Sequence, residues 1–197
     1  MVIFRRANTI VALAACVLFA LGTSAAKAAS IVPLDLNQIE ASAEQIVHVR
    51  CIANEFQADP TIGVVTVSTF VVLDRAKGAA RPTLTIRQAG GDINGLAVDY
   101  HVPKFRVGEE YVLFMPATSR LGLASPVGLA QGAFGVRQER TGKEVGNGRD
   151  FAELLVGVDS AIVPPGMATR LQQAPAARTR MDLGEFMTLL RAKAGTQ

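Results

Sequence analysis

The stretch that decides the fold is Val64-Val65-Thr66-Val67-Ser68-Thr69-Phe70-Val71-Val72-Leu73. It consists mainly of β-branched residues, which favour an extended backbone. Apolar side chains occur at both odd and even positions, so we expect a strand that is covered on both faces or that bends. A long, bent strand can serve both sides of a small closed barrel. The stretch therefore predicts a β protein built around one long strand.

Shorter segments on either side of it also have strand character. We predict strands at residues 45–53, 83–88 and 111–115, and a bulged strand or strand pair at 127–138. No helical pattern separates consecutive strands, which argues against a parallel sheet and favours an antiparallel barrel or a sandwich. We predict a mainly β fold: a small antiparallel OB-like barrel of about five strands. A β-sandwich is the alternative.

Two helices are predicted to flank the barrel. A short one lies within residues 34–43, and an amphipathic one spans 181–193, with Asp182 as its N-cap and Glu185 three residues later. The apolar stripe of the second helix is Leu183, Phe186, Met187, Leu189 and Leu190. The predicted organisation is a signal peptide at 1–28, a β-barrel domain at 29–141, an irregular linker at 142–180 and a C-terminal helix at 181–194.

The N-terminal residues have the layout of a secretory signal peptide. Arg5 and Arg6 precede an apolar stretch at residues 10–21, and Ala26-Lys27-Ala28 offers small residues for cleavage. We therefore predict an exported bacterial protein, periplasmic or secreted, with no transmembrane span after cleavage. Leu13-Ala14-Ala15-Cys16 also resembles a lipobox, which would place a lipid anchor on Cys16. The apolar residues after Cys16 favour an ordinary signal peptide instead.

The charge of the chain argues against nucleic acid as a partner. The 197 residues include 20 Lys and Arg and 17 Asp and Glu, for a formal charge of +3. Arg5, Arg6 and Lys27 belong to the predicted signal peptide, so the mature chain carries a formal charge of zero. A nucleic-acid-binding domain is normally basic. Cys51 would be the single cysteine after cleavage, and its place on an alternating strand predicts a small buried side chain.

Residues able to perform catalysis or bind a metal are few. His48 and His101 are the two histidines, and neither belongs to a metal-binding motif, so we expect no metal and no cofactor. His48 shares a strand face with Arg50 and is expected at the solvent or at an edge. No G-x-S-x-G elbow is present. His101, two residues after Asp99, is the one candidate for a catalytic base.

The glycine-rich loop after the third strand is the candidate binding loop. Loops on a rigid β scaffold often carry binding residues. The candidate binding residues in this loop and in the segment after it are Gly90, Gly91, Asp92, Asn94, Tyr100, His101 and Phe105. A glycine turn with a purely conformational role is the alternative.

Three motifs together resemble a family of uncharacterised secreted bacterial proteins. They are Leu84-Thr85-Ile86-Arg87-Gln88-Ala89-Gly90-Gly91, Pro103-Lys104-Phe105-Arg106-Val107-Gly108-Glu109 and Val127-Gly128-Leu129-Ala130-Gln131-Gly132-Ala133-Phe134-Gly135-Val136. The resemblance covers residues 34–137 and the last helix. It implies an OB-like barrel similar in outline to tissue metalloprotease inhibitors. Those inhibitors bind the protease zinc through an N-terminal Cys, which a chain cleaved after Ala28 lacks, so that mechanism does not transfer.

These observations predict an exported binding module without catalysis, whose partner is an extracytoplasmic protein or a cell-surface component. Two alternatives stay open: a secreted hydrolase with a loop-built site near Asp99 and His101, and a purely structural component of the cell envelope.

Overall fold

A computed structural model describes residues 32–173 and 178–195 of the chain. The strands are β1 (Gln45–Asp59), β2 (Gly63–Lys77), β3 (Thr83–Ala89), β4 (Gly91–Ile93), β5 (Leu96–Val98), β6 (Glu110–Met115), β7 (Ala133–Glu139), β8 (Gly142–Gly146) and β9 (Met181–Asp182). The helices are α1 (Leu36–Ala41), α2 (Phe151–Leu154), α3 (Pro165–Gln172) and α4 (Leu183–Ala194), with 3-10 turns at Leu129–Gly132 and Ser160–Ile162.

Seven of the strands form one antiparallel sheet in the order β3-β2-β1-β6-β7-β8-β9, and β4 and β5 form a separate two-stranded sheet. The mainly β class is confirmed. An OB-like barrel of about five strands is not confirmed, because β3 and β9 stay at opposite edges of an open sheet in the described residues. The region after residue 127 adds more strands than predicted, since β7, β8 and β9 extend the sheet beyond β6.

The pairing of β1 with β2 in the long hairpin is irregular at three places, and one of them lies at Ile52. Cys51 faces Phe70 and Ala53 faces Thr69, so Ile52 is an extra residue, a β-bulge. An extra residue reverses the alternation of side chains beyond it. The predicted end of this strand at residue 53 is wrong, because β1 continues to Asp59 in the new alternation.

One face of the sheet packs against the helices. Ile46 of β1 and Phe114 of β6 belong to this helix-side core. Every helix contributes to it: α1 through Leu36 and Ile39, α2 through Phe151 and Leu154, α3 through Met167, and α4 through Leu183, Phe186, Met187, Leu189 and Leu190. The predicted stripe of the C-terminal helix is confirmed, and Asp182 caps it by accepting a hydrogen bond from the Glu185 backbone N–H.

The opposite face carries a smaller core covered by loops. Val47, Val49, Cys51 and Phe70 are buried in this loop-side core together with Phe105 from the loop that precedes β6. The prediction that Cys51 is a small buried side chain is confirmed, since it is fully buried. Burial also raises the pKa of the Cys51 thiol.

Residues 142–180 differ from the irregular linker that their composition predicts. The described part of this segment contains β8, α2 and α3, and places Phe151, Leu154 and Met167 in the helix-side core. Each apolar cluster is too short for a recognisable period, so only tertiary packing reveals its role.

The predicted signal peptide, its expected cleavage site at residues 26–28 and the lipobox-like Cys16 lie outside the described residues. None of the helices in residues 32–173 and 178–195 combines the length and apolar character needed to cross a membrane.

Candidate functional site

The glycine-rich segment forms a small hairpin rather than an open loop. Asn94 and Gly95 connect β4 to β5 with φ angles of 53° and 84°, as a two-residue type I′ turn requires. Gly91 starts β4 at φ 140°, and a Cβ there would come within 2.7 Å of the Phe56 ring. Glycine therefore allows the hairpin to lie directly on the loop-side face of β1 and β2.

This hairpin and the chain after it enclose a cavity of about 390 Å³ against the sheet. The lining residues are Asn54, Phe56, Thr66, Ser68, Gln88, Ala89, Gly90, Gly91, Asp92, Ala97, Val98, Asp99, Tyr100, Val102, Pro103, Lys104 and Phe105. Phe56 and Tyr100 are about half exposed, at 52% and 55%. A site of this size and mainly apolar lining suits a small molecule or a single large side chain.

The floor of the cavity is a polar network on the strands. Ser68 Oγ donates a 2.7 Å hydrogen bond to Asn54 Oδ1, and Asn54 Nδ2 donates to the Phe105 carbonyl at 2.7 Å. Gln88 Nε2 donates to Ser125 Oγ at 3.1 Å. Thr66 Oγ1 donates to the Gly90 carbonyl at 2.7 Å and ties the hairpin to β2. These bonds hold the floor side chains in place before any ligand arrives.

The rim of the cavity carries charge. Lys104 Nζ donates to Asp99 Oδ2 at 2.7 Å, and the hydrogen bonds from Lys104 and from the His101 backbone lower the pKa of Asp99 to about 2. Asp92 is exposed and forms no ion pair with the described residues; its Oδ1 accepts only the Gly95 N–H, at 3.1 Å. Among the described lining residues the rim therefore carries one net negative charge.

The structure brings five of the seven candidate binding residues to this cavity. Gly90, Gly91, Asp92, Tyr100 and Phe105 line it, whereas Asn94 lies in the hairpin turn and His101 lies outside the lining. Phe105 is only 6% exposed and also packs edge-on against Phe70 and Tyr111.

Sequence reasoning missed the strand residues of the floor, Asn54, Thr66, Ser68 and Gln88. Polar residues at alternate positions of β2, at 66 and 68, were the available signal. Thr66 and Ser68 form a polar floor only because the bulge at Ile52 brings Asn54 onto the same face of the sheet.

A second polar centre lies on the opposite, helix-side face. Glu110 accepts hydrogen bonds from Arg50 at 2.7 Å and from Lys143 at 2.7 Å, and it lies 2.9 Å from His48 Nε2. Burial disfavours the Glu110 carboxylate, but these three partners outweigh burial and lower its pKa to about 2. The expectation that His48 lies at the solvent or an edge is wrong: β1 is an inner strand and His48 is 6% exposed.

No group of three or more potential metal ligands occurs in the described part of the chain. The sequence matches no family model, and comparison with curated proteins and with solved structures gives no match.

Proposed function

We propose that the protein is an exported, non-catalytic binding module and that the cavity beneath the β4–β5 hairpin is its binding site. The observation that carries this proposal is the combination of an apolar wall with a polar floor that is already hydrogen-bonded. A preorganised site loses little conformational entropy when a ligand binds. The occupant is an apolar group of an extracytoplasmic protein or of a cell-surface component.

The roles of the hydroxyl groups support binding rather than catalysis. Ser68 and Thr66, the aliphatic hydroxyls of the lining, both donate to oxygen atoms of the protein rather than to a base. A catalytic serine needs a base within hydrogen-bond reach.

The alternative proposal is a hydrolase built on Asp99 and His101. His101 Nδ1 lies 3.6 Å from Asp99 Oδ1, but Lys104 forms an ion pair with the same carboxylate, and the imidazole is 89% exposed. A screen with ester, peptide and glycoside substrates separates the two functions. Turnover that is lost in His101→Ala would overturn the non-catalytic proposal.

Binding at the cavity is testable with analogues of apolar side chains. We expect toluene and p-cresol to perturb the backbone NMR resonances of Ser68, Gln88 and Ala97 at millimolar concentration. The Ala97→Trp variant adds bulk at an exposed lining position and should abolish these perturbations. Ala152→Trp, on an exposed position of α2, is the matched control and should retain them. Perturbations that are absent, or unchanged in Ala97→Trp, would overturn the assignment of the cavity.

Export and partner are tested on the protein in its own bacterium. We expect mass spectrometry of the mature protein to find an N-terminus near Ala29, whereas a lipoprotein would begin at a lipidated Cys16. Affinity capture from periplasmic and surface fractions should recover a partner with wild type and with Ala152→Trp, but not with Ala97→Trp. Equal recovery by all three would favour a structural envelope component.

We also propose that the seven-stranded sheet curves toward the closed form of an OB-like barrel. Register shifts at three places bend the β1–β2 hairpin, and the Ala124 N–H donates to the Arg87 carbonyl at the outer edge of β3. Cross-strand NOEs that join β3 to further strand residues would support closure of the sheet.

A further inference from the structure

The distal half of β1 has an edge that no other strand of the described residues covers. Residues 108 and 109 pair with β1 at Cys51: the Gly108 N–H donates to the Cys51 carbonyl, and the Cys51 N–H donates to the Glu109 carbonyl. β6 pairs with β1 only as far as Arg50. Beyond Cys51, no described backbone group hydrogen-bonds to the outer side of β1, and residues 55–58 are exposed.

The direction of the backbone N–H and C=O groups shows which of those in β1 have no backbone partner among the described residues. The Val64 carbonyl accepts from the Gly90 N–H and therefore points away from β1. Val64 faces Ala58 in the register, so Ala58 belongs to a non-hydrogen-bonded pair and its N–H and C=O also point outward. Because this direction alternates along a strand, the backbone groups of Asn54 and Phe56 point outward as well. We name these groups of residues 54, 56 and 58 the free edge.

The free edge runs along the cavity. Asn54 and Phe56 have outward backbone groups, and both line the cavity. A strand added about 4.8 Å from β1 would place alternate side chains on the cavity face. The edge is also held rigid at its end, because Asp59 accepts the Thr61 and Ile62 N–H groups and a 2.5 Å hydrogen bond from Arg87.

Charge indicates which side chains the added strand carries. Asp92 lies at the rim and forms no ion pair with the described residues, and Asp99 forms an ion pair with Lys104. A cationic side chain beside an apolar one therefore complements this face, while an acidic segment is repelled.

We propose that residues 54–58 of β1 receive an extended segment of a partner protein as an additional antiparallel strand, with an aromatic or aliphatic side chain in the cavity and a Lys or Arg beside Asp92. This inference rests on the proposed binding function and names its partner class, a polypeptide. Main-chain hydrogen bonds supply affinity in such strand addition, and the pocket supplies specificity.

A defined peptide tests the main-chain contacts. The probe is acetyl-Thr-Lys-Val-Tyr-Val-Lys-Thr-amide, in which Lys, Tyr and Lys share one face of a strand. In antiparallel pairing the Tyr amide faces the free edge, while the two Val amides face away. We expect titration calorimetry to show binding that N-methylation of Tyr weakens at least tenfold and that N-methylation of either Val leaves unchanged. Equal binding of all the peptides would overturn strand addition.

A variant of the protein tests the same contacts from the other side. Ala58→Pro removes an outward N–H and leaves the β1–β2 hydrogen bonds intact, as proline on an edge strand does. We expect about tenfold weaker peptide binding, the equivalent of one lost hydrogen bond. Gln57→Ala, which changes a side chain on the other face, is the control and should bind as wild type. The Asp92→Asn variant should bind more weakly and with less salt dependence.

Separate outcomes distinguish the two proposals. If toluene and p-cresol bind the cavity but the peptide does not bind, the cavity site stands and strand addition is overturned. If the peptide binds wild type and Ala97→Trp equally, and Ala58→Pro weakens it, strand addition stands at the edge and the cavity assignment fails. Self-association of the protein that Ala58→Pro abolishes would make a second copy the occupant and overturn the proposal.

Discussion

At the scale of single residues, the backbone conformation of Gly91 and its lack of a side chain shape the candidate site. Its φ of 140° is strained for any residue with a side chain, and a Cβ would lie 2.7 Å from the Phe56 ring and 2.9 Å from Thr66 Oγ1. Gly95 has a φ of 84° but open space around it. The two glycines thus separate the cost of backbone strain from the cost of a steric clash.

We expect Gly91→Ala to lower the free energy of unfolding by about 3 kcal/mol, because strain and clash both act. Gly95→Ala should cost about 1 kcal/mol, since only the backbone is strained. Urea denaturation monitored by circular dichroism measures both. Equal costs would show that the hairpin can lift away from β1 without penalty.

The second polar centre, in which Glu110 contacts His48, Arg50 and Lys143, makes the free energy of unfolding depend on pH. Burial lowers the pKa of His48 below its usual 6.5, although the hydrogen bond and charge of Glu110 oppose this shift; Lys143 lowers it and Asp74 raises it. The stabilising contribution of neutral His48 is complete above pH 6.5 and is lost as the pH falls through the folded-state pKa. The Glu110 contribution is complete above its usual pKa of 4.5 and is lost as the pH falls toward 2.

We therefore expect the free energy of unfolding to decrease steadily on acidification from pH 7. Glu110→Gln should lower it by about 2 kcal/mol at pH 7, because Arg50 and Lys143 lose their shared partner. It should also make the decline between pH 4.5 and 2 shallower, while Asp99, whose pKa is lowered to about 2 as well, still contributes to that decline. His48→Gln should remove the decline just below pH 6.5 and keep the lower one. Guanidinium denaturation at a series of pH values is the measurement, and identical profiles for all three proteins would contradict this account.

At the scale of secondary-structure elements, α4 has capping and charge signals in its own sequence and also packs into the helix-side core. The cap at Asp182, the acidic Glu185 in the first turn and Arg191 and Lys193 in the last turn all agree with the helix dipole. Agreement among local signals explains why this helix could be predicted correctly. In β1 the bulge at Ile52 has no such local mark, and the strand was predicted to end six residues too early, at residue 53 rather than Asp59.

We expect Asp182→Ala to lower the free energy of unfolding by about 1 kcal/mol, because the Glu185 N–H loses its acceptor. Asp182→Asn keeps an oxygen acceptor and should be nearly neutral. Thermal denaturation followed at 222 nm compares the two variants. Equal losses would show that the negative charge of Asp182, rather than its hydrogen bond, stabilises the helix.

At the scale of the whole molecule, one sheet separates two cores of different character. Val112, Leu113 and Phe114 of β6 are fully buried, with alternate side chains in the helix-side and the loop-side core. Among the described strands, in contrast, β4 and β5 pair only with each other. The cavity lies between this hairpin and the distal half of the β1–β2 hairpin, away from β6.

We expect amide hydrogen exchange to be slowest in β6 and in the half of β1 beside it, since opening these strands disrupts both cores. Among the hydrogen-bonded strand amides, those of β4 and β5 should exchange fastest, and p-cresol in the cavity should slow them. Exchange followed by NMR in deuterated buffer tests this order. Protection of β4 equal to that of β6 would contradict it.

The sequence alone determined the mainly β class, the strand at residues 111–115, the buried Cys51 and the capped C-terminal helix. These features are encoded locally, by side-chain periodicity and by caps within a few residues. Tertiary structure alone decided that the sheet stays open in the described residues, that Phe151 and Met167 complete a core, and that β1 turns Asn54 toward Ser68 and the 99–105 segment. The physical reason is that strand register and bulges depend on contacts between residues distant in sequence, which no local pattern records.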